Sequence, residues 1–295
     1  MLGSQYGEAV VDGRSASGCY GRAAVRCLYV DLDGTLLGPN ASLLTGADGR
    51  FSLRGVRALE ACARAEVEVV IYSGRRQNSV FDVARLIGST SYIFEIGCGL
   101  VVDGELEWLT DGLVPSDHRG SIHDQIEASG APLLLLERFG DRLEYHTPWS
   151  AGREVSHLLR GDVDLSEVAA VLDEAGLGWL RLVDNGVISE HSTEHRVIHA
   201  YHLIPAGASK ARGVARHMQI RGYAPEECIA AGDSREDMEA ATVVGTFWLT
   251  ANALQRDRTL EAEVSGRPGV RIASEPYGAG VYEAVVTTLA ERGGR

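Results

Sequence analysis

The chain has 295 residues, 45% of them hydrophobic, enough for one large α/β domain or for a domain that carries an insertion. The 41 acidic residues outnumber the 28 basic ones and give a net charge of -13. That balance excludes a nucleic-acid groove and an anionic membrane surface as partners, though not a small phosphorylated molecule, because local charge decides the field inside a pocket. The five scattered cysteines form no CxxC pair, which suggests neither a disulfide framework nor a zinc knuckle and fits a reduced cytoplasm.

Residues 1–24 are rich in Gly and Ser and lack an apolar signal segment, so they read as a flexible extension or as the product of a start codon placed too early. Residues 25–30 predict a buried strand, and Asp31-Leu32-Asp33-Gly34-Thr35 follows it. Two acids one residue apart would project into the crevice beyond the strand's carboxyl end, where open α/β sheets bind ligands. Like charges there are costly unless a divalent cation offsets them; one acid can then act as nucleophile while the other moves protons.

Helical spacing over 53–65, a β-branched strand over 67–72 closed by Ser73-Gly74-Arg75, a helix over 78–86 and a strand over 92–95 make the βαβα rhythm of a parallel sheet. Asp103-Gly104 between apolar segments 100–102 and 106–108 signals a type I′ hairpin. From about residue 116 the rhythm changes to a helix over 118–128, paired strands over 133–137 and 142–146, a helix over 166–175 and strands over 179–183, 187–191 and 197–203. Helices mixed with antiparallel strands imply an α+β insert. The alternation resumes with a helix over 209–221, a strand over 228–231 that ends at Gly232-Asp233, a helix around 237–243, strands over 246–249 and 270–273, and a last helix over 280–292. The chain therefore leaves one sheet and re-enters it, with a core of residues 25–112 and 205–295 and an insert of residues 113–204.

Two weaker motifs compete for attention. His191-Ser192-Thr193-Glu194-His195 matches H-x-x-E-H, but that zinc-protease pattern needs a helix, and the flanking Val187-Ile188 and Val197-Ile198 favour strands joined by a turn. Gly278-Ala279-Gly280 reads as a turn into the last helix rather than as a phosphate loop.

Taken in order, Asp31-Leu32-Asp33-Gly34-Thr35, Ser73-Gly74-Arg75, Lys210 at the start of its helix and Gly232-Asp233-Ser234-Arg235-Glu236-Asp237 resemble the four motifs of the haloacid dehalogenase (HAD) superfamily. The likeness is to its subclass IIB phosphatases, the Cof-type, sucrose-phosphate and mannosyl-3-phosphoglycerate phosphatases, and it runs from about Val25 to the C-terminus. It implies a Rossmann-like core with a parallel sheet and an inserted α/β cap. The implied activity is Mg²⁺-dependent hydrolysis of a small phosphorylated metabolite, a sugar phosphate or an acid like phosphoglycerate or phosphoglycolate.

By that resemblance Asp31 attacks phosphorus and carries an aspartyl-phosphate, and Asp33 protonates the leaving oxygen and then activates water. Ser73 and the neighbouring amides, with Gly34, Gly74 and Arg75, bind the phosphoryl oxygens, and Lys210 neutralises their charge. Asp31, the Asp33 carbonyl and Asp233 hold Mg²⁺, with Asp237 in support. Asn252 matches an Asn-Ala pair of relatives and belongs either near the phosphate or at a helix N-cap. Within the insert, Arg153 and Arg160 suit a second anionic group such as a carboxylate, or else form a solvated basic cluster. Glu236 replaces a usual Asn, and Glu95-Ile96-Gly97 replaces Glu-Asn-Gly. A phosphomannomutase-like mutase and a catalytically silent sugar-phosphate sensor share the motifs; the presence of both Asp31 and Asp33 argues against silence.

Overall fold

A computed structural model of the protein describes residues 24–191 and 196–292. The expected extension over 1–24, apart from Ala24, and residues 192–195 of the H-x-x-E-H pattern lie outside the described residues, as does Cys19. The first half of the main sheet comes from β1 (Cys27–Val30), β2 (Glu68–Tyr72), β3 (Ser91–Phe94), β4 (Gly99–Val102) and β5 (Glu105–Trp108), with α1 (Arg54–Arg64) and α2 (Gln77–Ile87) between the parallel strands. After the insert, α6 (Lys210–Arg221), β10 (Cys228–Gly232), α7 (Arg235–Met238), β11 (Thr246–Leu249), α8 (Ala251–Arg256), α9 (Leu260–Val264), β12 (Val270–Ile272) and α10 (Tyr277–Arg292) complete it.

Among the described residues this sheet has eight strands in the order β12-β11-β10-β1-β2-β3-β4-β5. It is parallel from β12 to β3, and β4 and β5 run antiparallel. Residues in β1 and β10 are buried on both faces, which explains their near-continuous apolar runs. The hairpin turn has φ of 51° at Asp103 and 90° at Gly104, as a type I′ turn requires.

The insert contains α3 (Ile122–Ala128), α4 (Ala131–Phe139), β6 (Leu143–Tyr145), β7 (His157–Gly161), α5 (Leu165–Glu174), β8 (Leu180–His191) and β9 (Arg196–Pro205). Its sheet is antiparallel, in the order β6-β7-β9-β8. Its core takes in Ile96 and Cys98 from the turn between β3 and β4, so the two sheets share apolar packing there.

Several elements depart from expectation. Residues 133–137 are not a strand but the middle of α4: Gly130 in left-handed backbone and Pro132 in the first turn start a helix that buries Ala131, Leu135 and Phe139 four residues apart. Four consecutive leucines fit either period, and the proline decides. The helix expected over 118–128 begins only at Ile122, where Ser121 and Asp124 form a capping box. The two strands expected over 179–191 are one strand, β8, with register shifts around Asp184 to Ser189. Residues 157–161, read as part of a basic cluster, form β7. The helix that Asn252 was weighed as capping is α8, and Asn252 lies inside it; α9 was not anticipated.

Candidate active site

Asp31 follows β1 directly, and its amide still pairs with the Ala231 carbonyl of β10 at 3.0 Å. The chain then turns tightly, with Leu36 N–H donating to Asp31 O and Leu37 N–H to Leu32 O. Gly34 sits at φ +89° with Asp233 Oδ2 2.2 Å from where a Cβ would lie, so only glycine fits. The turn separates the two acids: Asp31 is buried, whereas the Asp33 side chain is 53% exposed.

Lys210 opens α6, whose N-cap is Ser209. Although its side chain is 1% exposed, Lys210 Nζ reaches Asp31 Oδ1 at 2.8 Å and Asp237 Oδ1 at 2.6 Å, and it lies 5.1 Å from the centre of the Tyr72 ring. Burial works against its charge, but Asp237 and Asp31 outweigh burial and raise its pKa. The other oxygen of Asp237 accepts from Asp233 N–H, Ser234 N–H and Ser234 Oγ, closing a capping box at the start of α7. With both oxygens taken by protein groups, Asp237 holds the loop.

Asp233 follows β10; Thr35 Oγ1 donates to its Oδ1 at 3.1 Å and Arg256 Nη1 to its Oδ2 at 2.8 Å. Asn252 Nδ2 donates to the Gly34 carbonyl at 2.8 Å, and its Oδ1 accepts from Tyr277 N–H at 2.8 Å. Asn252 thus ties the first turn to the last motif; the N-cap of α8 is Thr250. Carboxylate oxygens of Asp31, Asp233 and Asp237 lie within 4.8 Å of one another. Burial, then the charge of Asp237, pushes Asp233 up to about 7 against Arg256 and Thr35, and burial raises Asp31 despite Lys210. A buried, oxygen-only donor set with surplus negative charge fits a hard divalent cation.

Ser73 directly follows β2, is buried, and accepts from the Arg75 amide at 3.2 Å. Arg75 grips Asp33 with Nε on Oδ2 at 2.6 Å and Nη2 on Oδ1 at 2.5 Å. Gly74 is crowded by the insert, because a Cβ there would meet Asn185 Nδ2 at 2.9 Å and His202 Nε2 at 3.1 Å. Its carbonyl accepts from Arg153 Nη1 at 3.0 Å.

These groups line one cavity of about 730 Å³ between the main sheet's strand ends and the insert. Of the sequence-derived residues, Asp31, Asp33, Gly34, Ser73, Gly74, Arg75, Arg153, Asp233 and Asp237 line it; Lys210 and Asn252 stand behind it. Arg160 does not line it: it pairs with Glu144 across the β6–β7 ladder at 2.6 Å. Gly278 and Gly280 belong to the first turn of α10, away from this cavity.

Sequence reasoning missed Arg256, which lines the cavity one helical turn after Asn252, a spacing that was there to be read. It also missed Arg76, Trp149 and Asn185, for which the sequence carries no local signal, whereas His199, one of the histidines that follow the H-x-x-E-H pattern, lines the cavity. Glu95 has a further role. Its buried carboxylate accepts N–H bonds from Glu154, Val155 and Ser156 at 2.8, 3.2 and 2.6 Å and a bond from Ser156 Oγ at 2.8 Å. Glu95, Ile96 and Gly97 all have positive φ, so the turn that presents this anchor is strained at the β-branched Ile96. Glu236, pushed up to about 7 by burial, accepts from the Lys210 amide at 3.1 Å and lies 3.8 Å from Arg181 of β8.

No family model matches the chain. A phosphoglycolate phosphatase of Halorubrum lacusprofundi is 30% identical over 227 residues, 77% of this chain and 84% of the relative. One from Methanococcoides burtonii is 23% identical over 90% of this chain and 97% of its own length. Among solved structures, the sucrose-phosphatase of Synechocystis superposes with a TM-score of 0.62 at 14% identity, covering 90% of this chain and 98% of that one. A HAD phosphatase from Bacteroides thetaiotaomicron gives 0.60 at 16% identity over 94% and 98%. These structures share the fold.

Proposed function

Because the chain belongs to the haloacid dehalogenase superfamily, among its subclass IIB phosphatases of small phosphorylated substrates, we propose that it hydrolyses the phosphomonoester of a small carboxylic acid of the phosphoglycolate kind through an aspartyl-phosphate on Asp31. The observation that carries the reaction type is the pairing of buried Asp31 with Lys210 beside an exposed Asp33 at the same cavity. The substrate class rests on the relatives' phosphoglycolate phosphatase activity and on Arg75, Arg76, Arg153 and Arg256 around the cavity, since guanidinium groups suit a carboxylate and a phosphate together.

In this reading Lys210 holds Asp31 Oδ1, so Oδ2 attacks phosphorus. The new bond runs from Oδ2 to phosphorus, the ester P–O bond breaks, and its electron pair leaves on the alcohol oxygen, which takes a proton from Asp33. A water then gives its proton to Asp33 and attacks phosphorus, and the bond to Asp31 breaks to release inorganic phosphate. Ser73 and the amides beside it bind the transferring oxygens. Mg²⁺ would be held by Asp31, Asp233 and the Asp33 carbonyl, with Asp237 supporting the loop, and when bound it draws charge from the phosphoryl oxygens.

Asp33 must be free to hand over a proton, and Arg75 holds both of its oxygens. An arriving anion competes for Arg75 and releases Asp33, which links substrate binding to the acid. The insert would act as a cap whose Trp149, His199 and Arg153 close the cavity above the acids.

The test is phosphate release from phosphoglycolate, phosphoglycerates and hexose phosphates, with Mg²⁺ and with EDTA, for wild type and Asp31→Asn. Metal-dependent release that is fastest with the carboxylated substrates and lost in the variant is expected. Turnover of hexose phosphates alone refutes the substrate class, and turnover that survives Asp31→Asn refutes the mechanism.

A further inference from the structure

At the opposite end of the sheet from the cavity, three side chains stand side by side on one face. Cys27 opens β1, Cys228 opens β10 and Glu68 opens β2, and in the parallel register Cys27 pairs with Cys228 on one side and Glu68 on the other. Register partners point to the same face, here the face covered by α6. His217 of α6, fully buried, descends onto them.

Cys27 Sγ, a Glu68 carboxylate oxygen and a His217 ring nitrogen lie within 4.8 Å of one another, and Cys228 stands beside Cys27 in the parallel register. His217 Nδ1 shares a 2.8 Å hydrogen bond with Tyr29 Oη, whereas Nε2 makes none: it is buried 3.5 Å from Glu68 Oε1. A fully buried ring nitrogen without a bond, aimed into a pocket of two thiols and a carboxylate, lacks a partner that a cation would supply.

We propose that Cys27, Cys228, His217 and Glu68 form a structural site for a thiophilic divalent cation, zinc. Two sulfurs, an imidazole nitrogen and a carboxylate oxygen complete a four-coordinate shell with no open position, the mark of a structural rather than a catalytic site. Zinc donors stand roughly 3 to 4 Å apart in a tetrahedral shell, so Cys27, Glu68 and His217 would draw in by about 1 Å and Cys228 would swing in from the neighbouring strand to close it. The surroundings suit it. Tyr29 Oη bonds His217 Nδ1 and fixes the imidazole so that Nε2 faces inward. Glu68 keeps its other partners, Tyr223 Oη at 2.8 Å and Arg221 at 3.0 Å, the second of which balances the shell's net negative charge.

The four donors belong to the elements that carry Asp31, Asp233, Lys210 and Ser73, so the ion would brace β1, β10, α6 and β2 from below. Cys27 is four residues before Asp31, about 13 Å along the strand, too far for the ion to touch substrate.

Untagged protein from zinc-supplemented cells, dialysed free of loose metal, should retain about one zinc per chain by mass spectrometry, and Co²⁺ in its place should give a thiolate-to-cobalt charge-transfer band. Cys27→Ser and His217→Gln should each lose both the zinc and the band, while Asp233→Asn keeps them. Zinc-free wild-type protein that also gives no cobalt band overturns the proposal, whatever the variants do. So does zinc retained by Cys27→Ser and lost from Asp233→Asn, or a Cys27–Cys228 disulfide in protein purified without reductant.

Discussion

Arg75 occupies both carboxylate oxygens of Asp33, at 2.6 and 2.5 Å, so neither oxygen is free to meet a leaving group while that pair lasts. If substrate frees it, Asp33→Asn should lower kcat roughly 10²- to 10⁴-fold on an alkyl phosphate. On p-nitrophenyl phosphate, whose leaving group needs no proton, phosphoenzyme formation should fall far less. Burst kinetics with the two substrates measures this, and equal losses would remove Asp33 as the proton donor.

Lys210 lies between Asp31 and Asp237 with 1% of its side chain exposed. Lys210→Met leaves two buried carboxylates without their cation, which should cost about 3 to 5 kcal/mol of stability and roughly 10²- to 10³-fold in kcat. Excess Mg²⁺ should restore part of the melting temperature, because it neutralises the same charge, and little of the rate. Thermal melts and kinetics on the same preparation separate the two effects.

The raised carboxyls set a pH dependence of stability. A carboxyl whose pKa is higher in the folded than in the unfolded chain favours the fold while protonated, and that contribution disappears as pH rises through the folded value. Asp233 goes from 3.8 to about 7 and Glu236 from 4.5 to about 7. In EDTA the melting temperature should therefore fall between about pH 4 and pH 7, and the gain on adding Mg²⁺ should be larger at pH 7.5 than at pH 5. A flat EDTA profile across that window would contradict the burial of charge at these acids.

The sheet that positions Asp31, Ser73 and Asp233 was legible because parallel strands buried on both faces read as apolar runs, each ended here by a polar signature. The insert was harder. Its α4 and β7 hide in segments whose apolar and charged residues fit more than one period, and the proline at position 132 was the cue passed over. Arg153 and Arg160, seven apart in one basic stretch, looked equivalent. The fold sends Arg153 into the cavity wall, bonded to Gly74 O and Ser156 Oγ, and pairs Arg160 with Glu144. A long-range ladder makes that distinction, and no local pattern carries it.

Glu95 joins the sheet to the insert through three amides and a hydroxyl. Glu95→Gln keeps the shape but turns an oxygen acceptor into a donor facing N–H groups, which should cost about 1 to 3 kcal/mol. Because residues 154–156 adjoin Arg153, KM should rise more than kcat falls. A variant with normal KM and unchanged melting temperature would show the anchor to be dispensable.

Arg256 donates to Asp233 Oδ2 at 2.8 Å while lining the cavity, so it competes with any cation for that oxygen and with Asp233 for any anion. The two competitions predict opposite effects of Arg256→Ala. Its guanidinium is 40% exposed, so the pair with Asp233 is weak, and its loss should tighten the apparent Mg²⁺ affinity by only roughly two- to fivefold. If Arg256 turns to the substrate's anion once the cation is bound, the same variant should raise KM for phosphoglycolate by about tenfold, the loss of one charge-assisted contact. Magnesium titrations followed by heat or melting temperature read the first effect, and steady-state kinetics at saturating Mg²⁺ read the second. Tighter metal with unchanged KM would leave Arg256 a counterion of Asp233 alone, whereas weaker metal would mean that it orients the carboxylate for the cation instead of competing with it.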